Sequence, residues 1–147
     1  TDTSTNLTAS EEQALRDGYS NQYSPIGGTD STYSGLAGNG GWIDTYINVL
    51  WLENRMEERV FALIRSADKV PYNDDGIAMI VGAVLAQLQD AEDAGVINAV
   101  PKFTVSYPEA SSIPPADKSN RILNGISFTA YSGSGINTVK ITGTLVD

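Results

Sequence analysis

The sequence predicts an α+β fold: two long amphipathic helices packed on a small, mainly antiparallel sheet, with a C-terminal β-hairpin. Two segments, 42–66 and 74–94, carry apolar residues at helical spacing. Two others, 102–107 and 126–145, alternate apolar and polar residues as strands do. Each patterned face needs a partner surface, and the 147 residues suffice for one core, so helices and strands should form two layers.

The first residues predict a short helix behind a polar lead. Residues 1–9 are small and polar and are expected to be a flexible lead-in, with a single domain over 10–147. Ser10 is predicted to cap a helix that starts at Glu11 and stops at Gly18.

The segment that follows mixes tyrosines with small polar residues up to position 41 and predicts two short extended stretches joined at Gly27-Gly28. The long helix over 42–66 comes next, without Pro or Gly. Its main apolar row is Val49, Leu52, Met56, Val60 and Leu63. A second row is expected to widen the buried face in the first half, and consists of Ile43, Ile47 and Leu50.

The second long helix has a clear start and stop. Asn73 supplies a cap, Asp74 and Asp75 suit the positive end of the helix dipole, and Gly95 ends the pattern. Its apolar residues form one stripe, which predicts a core helix: Ile77, Ile80, Val81, Val84, Leu85 and Leu88.

The last third predicts strands around one short helix. Pro101 and Pro108 bound a strand over 102–107, and a helix is expected from Pro114 to about Leu123. A hairpin then enters through Ile126, Phe128 and Ala130, turns at Ser132-Gly133-Ser134-Gly135, and leaves through Val139, Ile141 and Leu145.

Composition excludes several classes of function. The net charge is −9, from 9 basic and 18 acidic residues, which argues against nucleic acid or anionic lipid as a partner. The chain has neither Cys nor His, and it has no apolar run of membrane-spanning length. We therefore expect no catalytic residues, no cofactor, no metal site and no membrane contact.

The carboxylates and aromatic residues are more simply structural than functional. The spacing around Gly76 does not fit a calcium loop, because position 82 is Gly where a Glu is required. Glu53, Glu57 and Glu58 alternate with Arg55 and Arg59, which predicts ion pairs along one helix. Tryptophans such as Trp42 and Trp51 are typical of a core, while a sugar-binding or protein-binding platform stays open.

Charge is unevenly distributed along the chain. Residues 1–100 sum to −10 and residues 101–147 to +1. A basic C-terminal segment on an acidic body favours head-to-tail pairing with a second copy, while a chance distribution of solvated charges stays an alternative.

Three ordered stretches carry a family resemblance. They are Gly41-Trp42-Ile43-Asp44 and the helix it starts, Lys69-Val70-Pro71-Tyr72 before Asp75-Gly76-Ile77, and the ending from Ala116 to Thr144. In this order and spacing they resemble the C-terminal region of contractile-phage tail sheath proteins. The resemblance implies that the chain is part of a longer protein of phages or prophages.

That resemblance implies a structural function. Sheath subunits stack as rings around an inner tail tube protein, and their contraction drives the tube through the host envelope. The implied partners are neighbouring sheath subunits and the tube, and the implied location is the virion, with assembly in the host cytoplasm. Strand exchange between subunits, which the resemblance implies, would make Val139, Ile141 and Leu145 an assembly interface, while pairing of this strand within its own subunit stays open. The alternative is an acidic, aromatic-containing carbohydrate- or protein-binding module of a tail or cell-surface protein.

Overall fold

The computed structural model describes residues 7–26, 28–33, 35–136 and 139. It has an α+β fold, and its elements follow the predicted order. The helices are α1 (Ala9–Asp17), α2 (Ile43–Ser66), α3 (Asp74–Asp93) and α4 (Pro115–Asn120), with a 3-10 turn at Ala110–Ser112. The strands are β1 (Gln22–Ile26), β2 (Thr29–Tyr33), β3 (Thr104–Ser106) and β4 (Ser127–Thr129). The chain divides into two units, Thr1–Leu50 and Trp51–Asp147, hereafter the N-terminal and C-terminal units.

The N-terminal unit begins with a capped helix and a hairpin. Strands β1 and β2 pair antiparallel, which confirms the two predicted extended segments, and Gly28 in their connection has the left-handed backbone that glycine permits (φ +83°). The sequence predicts Ser10 as the helix cap, and this prediction is wrong, because the cap is Thr8. Thr8 caps the helix because Glu11 lies three residues after it, which completes a reciprocal capping box.

This capping box makes the first turn of α1 sensitive to pH. The Thr8 hydroxyl (2.7 Å) and backbone N–H (2.8 Å) donate to Glu11 Oε2, and these two bonds lower the pKa of the Glu11 carboxyl. A lowered folded-state pKa stabilises the fold above the unfolded pKa, and this contribution is lost as pH falls through the lowered value. We expect an NMR titration of Glu11 to move to higher pH in Thr8→Ala. Identical midpoints in the two proteins would contradict the assignment.

The core of the C-terminal unit is built on α3. Asn73 caps α3 as predicted, since its side chain accepts from the Gly76 N–H at 3.0 Å. One buried cluster lies near the helix end and the other near its start. The first consists of Val84, Leu88, Ala91 and Ile97, and the second of Ile77, Val81 and Ile113. The predicted stripe on α3 is confirmed as a core face, apart from the exposed Leu85.

Helix α2 contributes to this core from Trp51 onward. Leu52, Met56 and Val60 pack against the first cluster from one face of the helix. Val49, the first residue of the main predicted row, is exposed. The second apolar row, predicted to widen the buried face, is also exposed at all three positions: Ile43, Ile47 and Leu50. These residues precede Trp51, where the C-terminal unit begins, so the predicted burial of this row is wrong in the described structure.

Candidate assembly surface

A two-stranded sheet presents a free edge on the C-terminal unit. Strands β3 and β4 pair antiparallel, with Val105 opposite Phe128, so the predicted strand at 102–107 and the first strand of the C-terminal hairpin meet in one sheet. All three residues of β4 are exposed. Among the described residues no strand pairs with the second edge of β4. An unpaired edge offers main-chain donors and acceptors to another strand.

The same segment is fixed to the body on both sides of β4. Ile126 packs against both buried clusters and Ala130 against the first, which confirms these two as inward-facing. Phe128, predicted in the same alternating row, is exposed, so the prediction is wrong at that position. Tyr72, just before α3, donates from its hydroxyl to the carbonyl of Ile122 at 2.6 Å. The position of β4 is therefore set by side-chain burial as well as by its pairing with β3.

Beyond β4 the chain makes a second antiparallel contact that the sequence did not predict. Ser132 pairs with Ile97, flanked by hydrogen bonds from Asn98 N to Tyr131 O (2.8 Å) and from Gly133 N to Val96 O (2.9 Å). The predicted turn at 132–135 is thus wrong for Ser132 and Gly133. Glycine and serine favour a turn locally, but the absence of a side chain on Gly133 also permits the close backbone approach seen here.

The residues predicted to form the assembly interface lie beyond that contact. Val139 is 70% exposed and Ile136 is 87% exposed. Ile141 and Leu145 lie outside the described residues. The described part of the segment therefore offers apolar side chains to solvent or to a partner.

Several carboxylates of this unit are engaged in structural contacts. Asp74 accepts from the Ala110 N–H at 2.7 Å, and Lys102 pairs with Glu92. Arg55 pairs with Glu58 along α2 as predicted, whereas Arg59 reaches across to Asp90 of α3. In the described ranges, no group of three or more Asp and Glu residues is arranged to hold a metal ion.

The two tryptophans have different environments. Trp51 packs against the first buried cluster, which supports the core interpretation for that residue. Trp42 is 48% exposed in the N-terminal unit, where it pairs through its backbone with Leu36. Tyr46 is exposed nearby in the chain and accepts a hydrogen bond from the Asn39 amide at 2.6 Å. An aromatic surface therefore exists in the N-terminal unit.

Comparison with known proteins identifies a family. Residues 43–119, just over half of the chain, match the family described as E217 tail sheath protein gp31-like, C-terminal domain. This range begins with α2 and extends into α4. A search of curated proteins finds no match. No helix in the described ranges is long and apolar enough to cross a bilayer.

Proposed function

Since the chain belongs to the E217 gp31-like family of tail sheath C-terminal domains, we propose that it is a structural subunit of a contractile phage or prophage tail. Neighbouring subunits form stacked rings around the inner tube protein, and contraction drives that tube through the host envelope. The match over residues 43–119 carries this proposal. It is consistent with a virion protein that assembles in the host cytoplasm, with a structural role in place of catalysis and no cofactor.

Within such an assembly, the C-terminal strand over about 136–146 would pair with a neighbouring subunit. The free edge of β4 is a suitable acceptor, because strand addition uses main-chain hydrogen bonds that any extended segment can supply. Val139, Ile141 and Leu145 alternate along this strand and would fall on one face. Val139 is exposed, and such pairing would cover its side chain.

Electron microscopy of the negatively stained full-length parent protein tests the proposal directly. Rings, tubes or polysheaths are the expected result, and monodisperse particles at every concentration would count against it. The exposed Trp42 and Tyr46 favour carbohydrate binding as the second candidate. Monodisperse particles that bind specific sugars on a glycan array would select that function instead.

A proline in the C-terminal strand is expected to stop assembly. Ile141→Pro removes a main-chain donor and prevents strand pairing, whereas the control Ile141→Val keeps the donor and a β-branched side chain. Sedimentation velocity should show loss of assembly in Ile141→Pro alone, with the melting temperature of its monomer unchanged. A lower melting temperature of the Ile141→Pro monomer would show that the strand belongs to the core of its own subunit.

A further inference from the structure

The contact between residues 96–98 and 131–133 lies at the end of α3. Gly95 has φ +72° just after the helix, and the N–H groups of Val96 and Ile97 both donate to the carbonyl of Ala91. These bonds hold the chain against the helix end. Ile97 is buried in the first cluster, so the strand partner of Ser132 is itself part of the core.

Gly133 fits this contact only because it has no side chain. A Cβ atom at this position would lie 2.0 Å from the carbonyl oxygen of Gly95 and 3.3 Å from the carbonyl carbon of Val96. Both neighbours are backbone atoms, which cannot rotate away as the end of a side chain can. Gly133 is buried, and the two flanking hydrogen bonds hold it in place.

Gly133 is the last buried residue among those that the structure describes. Ser134, Gly135 and Ile136 are exposed, as is Val139. The 14 residues after Gly133 can extend about 45 Å at roughly 3.3 Å per residue. The C-terminal unit has just under 100 residues, and a compact domain of that size has a radius of gyration of about 13 Å. The segment is long enough to reach an adjacent copy while its start remains fixed.

We infer that the contact between 96–98 and 131–133 is the permanent anchor of the C-terminal segment. Residues up to Gly133 stay with their own subunit, and the segment that pairs with a neighbouring copy begins at Ser134. The identity of the partner, a neighbouring copy, rests on the proposed function. The boundary after Gly133 rests on the buried contact that Gly133 makes. Opening the anchor would break two main-chain hydrogen bonds and remove the strand partner of the buried Ile97, whereas residues 134–136 are themselves exposed.

A disulfide across the anchor tests whether it stays closed. Ile97 and Ser132 form a non-hydrogen-bonded antiparallel pair, whose Cα separation of about 4.5 Å suits a disulfide. The chain has no Cys, so this bond is the one intramolecular disulfide that Ile97→Cys with Ser132→Cys can form, and non-reducing electrophoresis separates it from disulfides between copies. The oxidised and reduced proteins should assemble to the same extent. Assembly that is blocked by oxidation and restored by reduction would overturn the inference.

Two truncations locate the boundary without relying on assembly. Removal of 134–147 should leave the melting temperature of the monomer unchanged, whereas removal of 131–147 also deletes the anchor and should lower it by roughly 4–8 °C or more. A lower melting temperature in the shorter truncation would overturn the inference. If the protein lacking 134–147 still assembles, the proposed strand exchange is wrong, while an unchanged melting temperature still supports the anchor. For the disulfide experiment described above, the single variant Ile97→Cys is the control, because it removes the buried Ile97 side chain without forming the bond.

Discussion

Leu88→Ala is expected to destabilise the C-terminal unit by about 2–5 kcal/mol. The Leu88 side chain is 0% exposed and lies in the first cluster with Val84, Ala91 and Ile97, so its removal leaves a cavity that surrounding elements fill only in part. Leu85 is the matched control, because it lies on the same helix and is 42% exposed. Denaturant unfolding should show that Leu85→Ala lowers the free energy of unfolding by less than about half as much as Leu88→Ala does. Equal losses would mean that the buried face of α3 is assigned wrongly.

Substitutions of two glycines on α3 are expected to have opposite signs. A Cβ on Gly76 would lie 1.8 Å from the carbonyl oxygen of Pro71, so Gly76→Ala must displace backbone at the helix start, at a cost of about 3 kcal/mol. A Cβ on Gly82 meets no atom within 4 Å. Gly82→Ala should therefore stabilise the helix by about 0.5–1 kcal/mol through its higher helix propensity.

Thermal and denaturant unfolding of the two variants checks this pair. Chemically the substitutions are identical and both lie in one helix, so the difference between them isolates the contact with Pro71. Destabilisation by Gly82→Ala, or a neutral Gly76→Ala, would refute the described backbone approach.

Local patterns predicted the helices well because their signals are short-range. Asn73 and the apolar stripe on α3 specify a start and a buried face within a few residues of each other. The error at the first helix is equally local, since Thr8 and Glu11 form a capping box that competes with Ser10 for the same turn. These features depend on neighbours within one turn of helix, so periodicity and capping rules suffice to find them.

The candidate assembly surface was only partly predictable, because it depends on contacts between distant residues. Alternation identified Ile126 and Ala130 as inward-facing but not the exposed Phe128 between them. The predicted strand through Val139 stays a prediction, and Val139 is exposed. Nothing local indicates that Ser132 pairs with Ile97, since serine and glycine favour turns and the two residues are far apart in sequence. The exposure of the second row of α2 was not predicted for a related reason: an amphipathic pattern does not say how far along the helix its partner extends.

The apolar stripe of α3 packs against residues that come before it in the chain and against residues that come after it, and this affects how the protein folds during synthesis. α2 is already synthesised when α3 emerges, but the packing contributed by Ile113 and Ile126 comes only later. About 40 residues separate Leu88 from Ile126, so at roughly 5–20 residues per second translation leaves part of the stripe open for roughly 2–8 s. During that interval the nascent chain exposes apolar surface of the kind that promotes aggregation. Many copies are synthesised close together on one messenger. Each copy therefore folds correctly more often if its residues up to Ile126 have folded before it meets a neighbouring chain.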